Sequence, residues 1–169
     1  MFRRLREVGP GFLVPAAWGV VIAESLGAVT THPVFVMHIV MSVLLVAFAV
    51  LSWNEMEAGV LGTWRRVIVA GTPFALAGVA GFLVPTGSTP LFAAALVGWM
   101  LLPAAGFLDT ARQVSDGVWI YQAGAALCAV AVALYALGSL LGSEVLSVLG
   151  LVAVAVGQTA GILDAVLKY

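Results

Sequence analysis

Six long apolar runs separated by short polar breaks dominate the pattern along this chain. They cover residues 11–29, 33–53, 67–84, 91–108, 118–141 and 145–163. A helix needs about 20 apolar residues to cross the hydrocarbon core, with a usable range of about 17–25, and all six runs fall in that range. The runs are continuous and rich in Ala, Leu and Val. Strict alternation is missing, so the pattern predicts helices and not strands. An α-helix satisfies its own backbone hydrogen bonds, which is what allows it to sit in lipid.

The breaks carry helix punctuation. Thr31-His32-Pro33 and Ser88-Thr89-Pro90 each offer a capping side chain ahead of a proline at the first helical position. Ser143-Glu144 occupies the equivalent place later, with a carboxylate where the helix dipole favours it. These turns leave no room for a folded domain.

Composition agrees with the pattern. Of 169 residues, 63% are hydrophobic and 9% charged, against about 25% charged in a soluble domain. The expected fold class is therefore all-α, a polytopic integral membrane protein forming a single transmembrane domain over residues 1–169. The basic start Met1-Phe2-Arg3-Arg4-Leu5-Arg6 precedes an apolar stretch interrupted by Glu24, which predicts an uncleaved signal anchor as the first span. The net charge of −1 gives no reason to expect nucleic acid as a partner.

Charge also sets orientation. With six spans, Arg3, Arg4, Arg6, Arg65, Arg66, Arg112 and Lys168 all fall on one side, and the opposite turns hold neither lysine nor arginine. The positive-inside rule makes that side cytoplasmic. The expected localisation is a multi-pass cell-membrane protein with both termini cytoplasmic.

An internal repeat runs through the same segments. Ala105-Gly106-Phe107-Leu108-Asp109 returns as Ala160-Gly161-Ile162-Leu163-Asp164, and Glu55 stands at the corresponding end of the second run. Three tandem helical hairpins follow, near 1–58, 59–112 and 113–169. Three hairpins with a turn proline and a Gly-rich apolar sequence resemble the small HdeD-type membrane proteins, six-helix proteins linked to acid resistance in bacteria. The resemblance implies the six-helix architecture and transfers no functional residue.

Lipid gives no hydrophobic gain when two apolar helices meet, so close packing relies on small residues. Ala125, Ala129 and Ala133 recur every four positions in the fifth run, and Ala153, Gly157 and Gly161 in the sixth. Ala77 and Gly81 form a shorter pair in the third. These faces are expected inside the bundle or against a partner: a second copy or a larger membrane complex. Pro103 cannot donate to the Trp99 carbonyl, which predicts a kink in the fourth helix.

Few residues remain to carry chemistry. Glu24 lies in the first run, where an unpaired carboxylate costs on the order of 2–3 kcal/mol or more. His38 stands a comparable distance beyond the following turn, so an antiparallel hairpin would bring the two to similar depth. Such a pair could relay protons or hold a cation, with Ser42 extending the polar track. The alternative is interfacial: Glu24 reaches headgroups and His38 bonds a carbonyl. Glu55, Asp109 and Asp164 form a second set, either a cation-attracting cytoplasmic mouth or simple partners for Arg65, Arg66, Arg112 and Lys168. An acid at a helix C-terminus is locally unfavourable, which singles these three out.

Gln122, Gln158 and Tyr135 are expected to hydrogen-bond between helices. Cys128 is expected to pack as a small residue, and Trp53, Trp64 and Trp119 to line the cytoplasmic boundary. A lone cysteine and two histidines six apart exclude a cysteine cage and a helical metal pair. No serine elbow, P-loop or dinucleotide fingerprint occurs, so neither catalysis nor a cofactor is expected. Three functions remain: proton or small-solute transport using Glu24 and His38; a structural or accessory subunit of a membrane complex; and a haem- or quinone-associated stress or redox protein, with His38 and either His32, swung inward, or Met37 or Met41 as haem ligands.

Overall fold

The structure is a computed structural model that describes the backbone of residues 2–168 and the side chains of residues 11–168. It contains six α-helices: α1 (Phe2–Ser25), α2 (Thr31–Leu51), α3 (Gly59–Leu83), α4 (Thr89–Ala111), α5 (Val118–Leu141) and α6 (Glu144–Lys168). Five of them, α2 to α6, are long and apolar enough to cross a membrane. The apolar part of α1 is shorter, Gly11–Ser25. The chain is thus an all-helical protein whose composition fits a bilayer.

Several helices extend beyond their apolar runs, α1 starting at Phe2 and α6 continuing to Lys168, and two further ends shift for identifiable reasons. Helix α1 stops at Ser25, where the Ser25 hydroxyl donates to the Ile22 carbonyl and the chain turns through Gly27 at positive φ. Helix α3 begins at Gly59, eight residues before the apolar run, because its first two turns carry Trp64, Arg65 and Arg66. The predicted threonine and serine caps do not form: Thr31 is already the first residue of α2, and neither Thr30 ahead of α2 nor Ser88 ahead of α4 makes a side-chain cap. At α6 the expected cap is present, with the Leu146 N–H donating to Ser143 Oγ. Helix α5 is bracketed by Gly117 and Gly142, both left-handed, a conformation that suits glycine.

Each helix lies against its neighbours in sequence, and α1 packs against α6. The first hairpin is the loose one: α1 and α2 touch sparsely, while α2 leans on α3. Only 6% of the apolar window of α2 is buried, compared with 28–39% in α3 to α6. The core therefore sits among α1, α4, α5 and α6. Trp18, Met100, Phe107, Tyr121, Cys128, Leu151 and Val154 fill it, with Trp64 of α3 packed alongside.

Small residues do set the helix spacing, though not all the expected ones. The closest approach is α5 on α6. A Cβ at Gly124 would lie 2.9 Å from the Gly157 carbonyl oxygen, and one at Gly157 would lie 3.0 Å from that of Gly124. Gly161 receives the Phe107 ring and Gly71 the Trp99 ring. On α5 the inward face is Gly124, Ala125, Cys128, Ala131 and Gly138. Ala129 and Ala133 point outward, so of that ladder only Ala125 packs inside the bundle. Trp64 also departs from expectation: its ring packs edge-on against Phe107, with centroids 5.4 Å apart, instead of facing the boundary.

Candidate functional site

Gln158 of α6 is buried in the bundle centre, 2% exposed. Pro103 in α4 has no N–H, so the Trp99 carbonyl one turn earlier lacks its helical donor. Gln158 supplies one: Nε2 donates to the Trp99 oxygen at 2.7 Å. The other end of the amide is used as well, since Trp18 Nε1 of α1 donates to Gln158 Oε1 at 2.9 Å. Cys128 of α5 lies beside the same amide. One side chain thus links three helices directly and adjoins a fourth. It answers a backbone oxygen that would otherwise be stranded in an apolar core.

Glu24 and His38 do not meet. Glu24 is one residue from the end of α1, half-buried, and among the described residues its carboxylate has no hydrogen-bond or ion-pair partner. His38 lies seven residues inside α2, about 10 Å deeper at about 1.5 Å per residue. The similar depth expected for the pair depended on α1 continuing toward Val29, and it stops at Ser25. His38 instead fills the α2–α3 seam. Its Nδ1 lies 2.8 Å from the Val34 oxygen. A carbonyl only accepts, so this nitrogen carries the proton. Nε2 faces Gly78, where any side chain would overlap the imidazole, and Phe82 stacks edge-on at 6.0 Å. Ser42, buried beside it, donates to the His38 carbonyl at 2.7 Å. That bond turns the hydroxyl back onto its own helix and away from any track. With Nε2 against Gly78, His38 as placed does not present a ligand to a haem iron.

The three acids also stay apart. Asp109 Oδ2 accepts from the Thr63 hydroxyl, from Gln113 Nε2 at 3.2 Å and from Arg66 Nη2 at 3.1 Å. Thr63, 3% exposed, itself accepts from Gln113 at 2.8 Å. This four-residue cluster ties the start of α3 to the end of α4. Asp164 pairs with Lys168 at 2.9 Å, and the lysine also donates to the Asp116 carbonyl. Glu55 is exposed in the α2–α3 link. Among the described residues no three His, Cys, Asp or Glu side chains group to hold a metal.

The placement removes the dipole puzzle. Each of the two helical acids ends its own helix but lies beside the start of the antiparallel neighbour. Asp109 bonds Thr63 in the first turns of α3, and Asp164 Oδ2 would be 3.3 Å from a Cβ at Gly117, the N-cap of α5. The unfavourable terminus is therefore offset by a favourable one. Arg65 is held differently, 4.7 Å over the Trp53 ring and donating to the Trp53 carbonyl. The side chains of Arg3, Arg4 and Arg6 lie outside the described residues.

The sequence points to Gln158 as an interhelical hydrogen-bonding residue, and the structure shows it as one; its pairing with the carbonyl freed by Pro103 was not foreseen. Its signal was the pairing of a mid-helix proline with an amide on another helix at matching depth. No known family matches the chain, and neither a curated protein nor a solved structure matches it.

Proposed function

We propose that this chain is a six-span membrane protein, with both termini cytoplasmic, that serves as a structural or accessory subunit of a membrane assembly. The observation that carries the proposal is the use of Gln158. This buried amide is consumed in joining Trp18 and Trp99, within a centre packed by aromatic rings against glycines. A side chain committed at both ends to holding helices together is a poor carrier of protons or solute.

In this topology α1 is the sixth crossing. Gly11–Ser25 covers about 22 Å at about 1.5 Å per residue, with its basic first turns among headgroups. The three-hairpin repeat and the architectural likeness to HdeD-type proteins belong to the same proposal. The partner surface is the outward face of α5, where Ala126, Ala129, Ala133 and Ala136 are all exposed. Small residues there let another helix, from a second copy or a larger complex, approach closely.

The test is the mass of the full chain extracted with its surrounding lipid. The proposal expects an assembly heavier than one 17.4 kDa chain, reduced to single chains by Ala129→Leu with Ala133→Leu while helicity is retained. A wild-type chain that is single in native lipid would overturn it.

Transport remains a second reading because of one observation, the half-buried Glu24 carboxylate without a described partner. It expects pH-driven flux in proteoliposomes that Glu24→Gln abolishes. Equal flux from wild type, variant and empty vesicles would remove it.

A further inference from the structure

No further inference is drawn: the strongest candidate, the apolar groove between α3 and α4 lined by Phe74, Val97, Gly98, Leu101 and Leu102, is an unpartnered apolar face and nothing in the structure shows what covers it.

Discussion

Gln158 donates its amide N–H to the Trp99 carbonyl, the backbone oxygen that Pro103 leaves without a partner. A polar residue on α6 therefore completes a hydrogen bond that α4 cannot make for itself. The two defects, a proline in one span and an amide in another, are each unfavourable in lipid and are compatible only together.

That coupling is measurable. Gln158→Leu keeps the volume but strands the Trp99 oxygen and the Trp18 indole N–H, and should cost about 1–3 kcal/mol in a detergent unfolding titration. In a Pro103→Ala background, residue 103 regains its N–H, so the same substitution should cost measurably less. Equal costs in both backgrounds would show that Gln158 does not compensate for the proline.

Helix faces can be tested in the same way. Gly124→Leu or Gly157→Leu would force α5 and α6 apart and should cost several kcal/mol or prevent folding. Ala129→Leu and Ala133→Leu, on the outward face, should leave the unfolding midpoint of the isolated chain nearly unchanged. A large loss of stability from the alanine variants would reverse the assignment.

How much was visible from residues alone follows from these faces. Six helices, five of them long and apolar enough to cross a membrane, were legible because continuous apolar runs of about 20 residues have one economical interpretation. Which face of α5 points inward was not. Ala125, Ala129 and Ala133 look like a packing ladder, yet lipid and protein interior are similarly apolar, so an alanine carries little information about its side. Trp64 misled for the related reason that an aromatic near a basic cluster reads as an interfacial anchor, although this one turns onto Phe107. The Glu24/His38 pair failed on a matter of four residues. Depth was counted from a turn centred near residue 32 on the assumption that the first helix runs on to Val29, and α1 ends at Ser25.

The His38 seat yields a rescue experiment. Gly78→Ala should destabilise the α2–α3 contact by steric overlap with the imidazole. Adding His38→Ala should recover part of that loss, since the smaller side chain vacates the space. No recovery in the double variant would mean that His38 does not occupy the Gly78 gap.

At the basic end, the Asp109 cluster separates a buried contribution from an exposed one. Arg66 is 72% exposed, so Arg66→Met should change stability by about 0–1 kcal/mol and the effect should fade in high salt. Thr63→Val removes a buried hydroxyl that bonds Asp109 and Gln113. It should cost about 1–3 kcal/mol with little salt dependence. The reverse ranking would place the clamp's stability in the ion pair instead.

The proposed topology depends most on whether α1 crosses the bilayer, and site-directed labelling answers that directly. In a Cys128→Ala background, cysteine at Ala28 should react with a membrane-impermeant maleimide in intact cells, while cysteine at Ser115 and an N-terminal epitope should be reached only after permeabilisation. An N-terminal epitope accessible on the same side as position 28 would contradict it, leaving five crossings and a first helix that does not span.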